Sequence, residues 1–160
     1  MAGAEVVEVG IDPRQWPITG IDVAWINSPS NPTGRVHTDE EIQAVIEWSR
    51  QTGAIVASDE CYLPFPDSKQ GSSVLSIAAG NNAKLLAVHS LSKRSNMAGY
   101  RGAFIAGDPE LISRLLEIRK HMGMMVPLPI QKSVAAALAD DEHVHHQAEI
   151  YVNQIGRAHV

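Results

Sequence analysis

Lys93 and Arg101 stand eight residues apart, and two serines, Ser90 and Ser92, lead into the lysine as Ser90-Leu91-Ser92-Lys93. A lysine amine can condense with a carbonyl to give a Schiff base. Two hydroxyls and a planar guanidinium suit a phosphate dianion. Together these groups describe a receptor for an aldehyde that carries a phosphate. Two further polar clusters lie upstream, Asn31-Pro32-Thr33-Gly34 and Asp59-Glu60-Cys61-Tyr62.

The elements around these clusters follow from apolar patterning and turn residues. Ala4 to Val9 reads as a short strand, closed by Asp12-Pro13 and Trp16-Pro17. Ile21 to Ile26 is the next strand and empties into a turn-rich stretch from Asn27 to Gly34. Thr38-x-x-Glu41 is a capping box, Ile42, Val45 and Ile46 follow at helical spacing, and Gly53 sits where a helix ends. Ala54 to Ala57 is a fully apolar strand stopping at Ser58-Asp59, and Pro64 to Ser73 is a loop. Val74 to Ala79 has room for one or two helical turns, and Leu85 to Val88 is a third buried strand.

Gly102 to Ala106 reads as a fourth strand, expected antiparallel because no crossover helix precedes it. Asp108-Pro109 opens a helix with its cap and first-turn proline adjacent. Leu111, Ile112, Leu115 and Leu116 are its expected inner stripe. Pro127 and Pro129 precede another helix bearing Ile130, Val134 and Leu138, and a polar helix begins near Asp140 or Asp141.

Strands alternating with helices predict a three-layer α/β/α domain around a mostly parallel sheet. Ligands bind such sheets beyond the carboxyl ends of the strands. Asn31, Asp59 and the Ser90–Lys93 segment each lie at the end of an expected strand, so three separate clusters converge on one edge.

Ser90-x-Ser92-Lys93 with Arg101, preceded in order by the Asn31 and Asp59 motifs, resembles the cofactor-lysine region of the fold-type I pyridoxal-phosphate aminotransferases of classes I and II. The resemblance implies the large, cofactor-binding domain of the aspartate-aminotransferase-like fold, of which this chain would be a part. It implies pyridoxal 5′-phosphate as cofactor, Lys93 as the catalytic Schiff-base lysine, and Asp59 beside the pyridine nitrogen. It assigns Tyr62 and Asn31 to the phenolic oxygen, and Ser90, Ser92 and Arg101 to the phosphate. Partners would be small amino-acid and keto-acid substrates, and family members are homodimers.

Within the family, Asn27 to Val36, Ala57 to Tyr62, His89 to Arg101 and Arg119 to Gln131 look most like the succinyldiaminopimelate transaminases of lysine and diaminopimelate synthesis. That implies transamination between glutamate and an N-succinylated keto acid. The alternatives are another activity on the same fold, such as a carbon–sulfur lyase, or an aminotransferase-like effector domain of a regulator.

The family pattern also contains a ring-stacking aromatic and a carboxylate-binding arginine that these 160 residues do not supply. Residues 1–154 therefore read as a partial cofactor-binding domain, and the isolated stretch is expected to be inactive. Ile155 to Val160, IGRAHV, departs from the resemblance and reads as a non-native tail.

Composition narrows the classes. Hydrophobic residues make up 44% and charged residues 19%, as in a globular chain. A net charge of −5 without a Lys/Arg cluster argues against nucleic acid. Apolar runs are strand-length, which argues against a membrane span. Cys61 is the single cysteine, so no internal disulfide can form, and a reducing cytoplasm is the expectation. It reads as a small buried thiol.

Ser90-x-x-Lys93 also fits the pattern of penicillin-recognising hydrolases, but no Lys-Thr-Gly partner exists and the serine should open a helix. His143 and His146 share a helical face without the residues to complete a metal site. They read as solvated. Met122, Met124 and Met125 read as core or subunit surface.

Overall fold

The computed structural model describes residues 3–63 and 71–158. Its centre is a four-stranded sheet of β1 (Val23–Asn27), β2 (Ile55–Asp59), β3 (Leu85–Ser90) and β4 (Ala103–Gly107), ordered as in the chain. β1, β2 and β3 are parallel, with Val23 opposite Ile55 and Val56 opposite Leu85. β4 runs antiparallel to β3, as expected, pairing Ser90 with Ala103. The fold is α/β with a mostly parallel sheet.

The crossover from β1 to β2 is α1 (Asp39–Thr52). Its capping box forms: Thr38 Oγ1 accepts from the Glu41 N–H at 3.2 Å, and Glu41 accepts from the Thr38 N–H at 2.9 Å. Gly53 closes the helix at φ 76°, a left-handed conformation that glycine adopts without Cβ strain. The buried stripe of Ile42, Val45, Ile46 and Trp48 packs with Val56, Leu85 and Ala87 from one sheet face. Burying each large side chain contributes about 1.5–3 kcal/mol. Trp16 closes the cluster edge-to-face on Trp48, ring centres 5.2 Å apart.

α2 (Val74–Ile77) follows, and the 64–70 part of the expected loop lies outside the described residues. A one-turn helix, α3 (Leu91–Arg94), takes in most of the small polar segment Ser90-Leu91-Ser92-Lys93. β3 also runs two residues beyond the expected Val88 and takes in His89 and Ser90. Gly107 ends β4 at φ 142°, where a Cβ would stand 2.0 Å from the Leu85 carbonyl oxygen. Only glycine fits there.

Asp108 caps α4 (Pro109–His121), accepting from the N–H groups of Glu110 and Leu111 at 2.8 and 3.3 Å. α5 (Leu128–Leu138) and α6 (Glu142–Ala158) complete the chain.

Three expectations are corrected. Ala4 to Val9 forms no strand: a strand needs a ladder partner, none among the described residues pairs with it, and Val6 is 87% exposed. The α4 stripe is not a sealed core. Leu111 is buried, but Leu116 lies open along an apolar groove of about 510 Å³ shared with β4 and α5. Pro129 lies inside the first turn of α5, not ahead of it, because proline's missing N–H is harmless there.

Candidate functional site

The carboxyl ends of β1, β2 and β3 gather the expected groups on one edge. Asn27, the last residue of β1, works in two directions: its Oδ1 accepts from the Asn31 N–H at 2.9 Å and its Nδ2 donates to the Asp59 carbonyl at 3.1 Å. The Ser28 N–H also donates to that carbonyl, at 3.1 Å. This pins the loop holding Asn31 to the strand end holding Asp59. Asn31 Nδ2 then donates to the Tyr62 hydroxyl at 3.3 Å. Lys93 Nζ lies over the Tyr62 ring, 5.9 Å from its centre. Asn31, Tyr62 and Lys93, far apart in sequence, are thus one chain of contacts.

Asp59 is half-buried, and its Oδ1 accepts from the Cys61 N–H at 3.2 Å, an Asx turn that shapes the strand end. Cys61 is half-buried, not fully enclosed as expected. Burial, reinforced by Asp59, pushes its thiol pKa up to about 12, so it is no nucleophile at neutral pH.

Ser90 caps α3, its Oγ accepting from the Ser92 N–H at 3.1 Å and donating to Ser92 Oγ at 2.9 Å. The two hydroxyls therefore stand side by side. Ser90 does open a helix, which removes one of the two objections to the penicillin-type pattern; the absent Lys-Thr-Gly partner remains. Lys93 is exposed at the sheet edge.

Arg101 comes back to this edge through the backbone: the Leu91 N–H donates to the Gly102 carbonyl at 3.1 Å. Its own backbone is left-handed at φ 55° and ψ 34°, a strained state for a side chain with a Cβ. The guanidinium donates to the Ala98 carbonyl at 3.0 Å, and no hydrogen bond joins it to Ser90 or Ser92. The Asn31–Tyr62–Lys93 chain, the Ser90–Ser92 hydroxyl pair, the Asp59 carboxylate and the Arg101 guanidinium thus share the edge, with no side-chain hydrogen bond among the described residues from one of these groups to the next.

Several residues of the edge carried no sequence expectation. Asn27 is the hinge pin between two motifs. Glu60, only 1% exposed, accepts from the Val74 N–H at 2.8 Å and faces His89, whose Nε2 is 3.1 Å from Oε2. His89 stacks on Phe104, ring centres 5.1 Å apart. Strand alternation was the signal available for Glu60, which falls two residues beyond Ser58 on the buried face. Arg94 anchors α3 from behind, donating to the Ala137 carbonyl at 2.9 Å and pairing with Asp141.

Elsewhere, His143 pairs with Asp140 at 3.0 Å, and no cluster of three metal-capable side chains occurs among the described residues. No described helix is long and apolar enough to cross a membrane. Met122, Met124 and Met125 are exposed, so they are surface and not core.

The family model for aminotransferase class I and II matches residues 15–159. The 4-dedimethylamino-4-oxo-anhydrotetracycline transaminase OxyQ of Streptomyces rimosus is 46% identical over 147 residues, 91% of this chain and 39% of that protein. A probable aminotransferase of Mycobacterium tuberculosis is 50% identical over 132 residues, 81% of this chain and 32% of that one. LL-diaminopimelate aminotransferase 2 of a Nostoc species is 36% identical over 136 residues, 83% and 34% of the two chains. Among solved structures, an aminotransferase from Neisseria meningitidis superposes with a TM-score of 0.78 at 35% identity, over 85% of this chain and 36% of its own. The chain spans about a third to two fifths of the length of these relatives. This chain belongs to the class I and II aminotransferase family.

Proposed function

We propose that this chain, as a member of the class I and II aminotransferase family, carries the cofactor-binding part of a pyridoxal 5′-phosphate-dependent transaminase. The observation that carries the reading is the contact chain Asn31–Tyr62–Lys93 beside the paired hydroxyls of Ser90 and Ser92. The donor set fits the cofactor: an exposed amine, two adjacent hydroxyls, a nearby cation and a strand-end carboxylate meet on one edge. When bound, the group supplies an electron-withdrawing ring for the charge left on a substrate carbon.

Each residue then has a task. Lys93 would hold the cofactor through a Schiff base and carry a proton to or from the reacting carbon. Asp59 would keep the ring nitrogen protonated, since a carboxylate favours the neighbouring cation. Asn31 and Tyr62 would hydrogen-bond the phenolic oxygen. Ser90, Ser92 and Arg101 would hold the phosphate, which calls for the Arg101 guanidinium to leave the Ala98 carbonyl.

For the substrates we propose glutamate as amino donor and an N-succinylated keto acid of the diaminopimelate series as acceptor, in a cytoplasmic homodimer. Extended sequence resemblance and the diaminopimelate-named relative support this reading. A second reading, a polycyclic ketone as acceptor, is favoured by the higher identity of the tetracycline-pathway relative. An amino-transfer assay on the whole protein that carries this chain, with labelled glutamate and both acceptor types, separates them. Transfer only to the succinylated acid supports the first, and transfer only to the polycyclic ketone supports the second. Wild-type transfer that persists in Lys93→Ala contradicts both.

A further inference from the structure

Asp59 and Glu60 are consecutive carboxylates, and strand alternation sends them to opposite faces of the sheet. The proposed function uses Asp59 alone, yet Glu60 is the more deeply buried, at 1% exposure. Burying a carboxylate is costly, and an apolar residue of similar size would fill the space more cheaply. What Glu60 touches explains its presence.

Its Oε1 accepts from the Val74 N–H at 2.8 Å, at the start of α2. Its Oε2 stands 3.1 Å from His89 Nε2, a charge contact without the alignment of a good hydrogen bond, and gains no well-aligned donor among the described residues. His89 is the residue before Ser90, and its ring stacks on Phe104, its cross-strand partner in β4, at an interplanar angle of 19°. Through backbone bonds the same layer continues: the Glu60 N–H donates to the Val88 carbonyl at 2.9 Å, and the Leu91 N–H to Gly102 at 3.1 Å. Glu60 and His89 thus join β2, β3, β4 and α2 at the height where the cofactor groups begin.

We propose that Glu60 and His89 are positioning residues, a buried carboxylate–imidazole pair that holds the strand end bearing Asp59 level with the one bearing Ser90, Ser92 and Lys93. The carboxylate stands 3.1 Å from Nε2 of the imidazole, and the stacked Phe104 fixes the plane of the ring. Neither residue is among those assigned to hold the cofactor. Their effect reaches it through the spacing between Asp59 on one side and Lys93 on the other. The inference rests on the proposed cofactor role of those residues.

The test uses the full chain and the variants Glu60→Gln, His89→Asn and the double variant. Titration with pyridoxal 5′-phosphate gives the dissociation constant and the pH midpoint of the bound cofactor's absorbance. Amide hydrogen exchange is read on the cofactor-free protein. Each single variant is expected to weaken cofactor binding about tenfold, the scale of one lost polar contact to a charged group. The absorbance midpoint moves at temperatures well below unfolding, and exchange quickens at the ends of β2 and β3 but not in α1. The double variant loses no more than the worse single one, because the two act through each other. Unchanged binding and exchange, or losses that multiply, overturn the inference. If the unsubstituted chain binds no cofactor, the proposed function fails instead. The exchange pattern still decides the pair: acceleration confined to the two strand ends supports it, and uniform or absent acceleration overturns it.

Discussion

Asn31 and Tyr62 meet at 3.3 Å, side-chain amide to phenol, although one follows β1 and the other β2. Parallel strands make this meeting unavoidable: Asn27 lies opposite Asp59 in register, so whatever follows each strand shares an edge. Tyr62 then presents its ring to Lys93.

Asp59→Asn keeps the shape and the Asx turn with Cys61 but removes the charge. Losing a preorganised electrostatic partner of a reacting group costs on the order of 10²–10³ in kcat. Steady-state kinetics and thermal melting on one preparation of the whole protein that carries this chain check this: kcat is expected to fall with Tm nearly unchanged.

Asn27→Ala releases both the Asn31 loop and the Asp59 carbonyl. Each lost hydrogen bond destabilises by about 1 kcal/mol. A denaturant melt should show the midpoint lowered without a change in m, and cofactor affinity should fall alongside it.

Gly107→Ala places a Cβ 2.0 Å from the Leu85 carbonyl oxygen at φ 142°. Backbone cannot yield as a flexible side chain can, so the loss is on the order of 3 kcal/mol or more. Expression yield and a melt of any soluble protein report it; a variant as stable as the parent would refute the β3–β4 packing. Gly53→Ala, with open space around it, should cost only about 1 kcal/mol.

Glu60 also sets an acid limb of stability. Burial alone raises its carboxyl pKa, but the nearby His89 imidazole, the Val74 N–H and Ser73 outweigh it, leaving the net pKa below the ordinary value. The unfolded chain then binds this proton more readily than the folded one. The stabilisation is present above the unfolded glutamate pKa and is lost as pH falls through the folded one. Melts across the acid range should show Glu60→Gln with a flatter acid limb than the parent, and parallel limbs would contradict the assignment.

The sequence showed the proposed cofactor edge more clearly than the ground it stands on. Asn31, Asp59, Ser90 and Lys93 stood out because turn residues and strand ends are local signals, and α1 announced itself through Thr38, Glu41 and Gly53. Glu60 and His89 did not, because a buried carboxylate is legible only once its partners from α2 and β3 are placed around it. Ala4 to Val9 misled for the same reason in reverse: it has strand-like residues, but pairing is a property of neighbours. The open α4 stripe shows that periodicity predicts which side of a helix is apolar, not whether anything covers it.

The central claim is that Lys93 captures the cofactor's aldehyde. The direct measurement is to incubate the chain with pyridoxal 5′-phosphate, reduce with borohydride, and map the modified peptide by mass spectrometry. The account predicts one stoichiometric adduct on Lys93, weakened by Ser90→Ala and abolished in Lys93→Ala. No adduct, or label spread over Lys84, Lys120 and Lys132 with Lys93 unmodified, would contradict it.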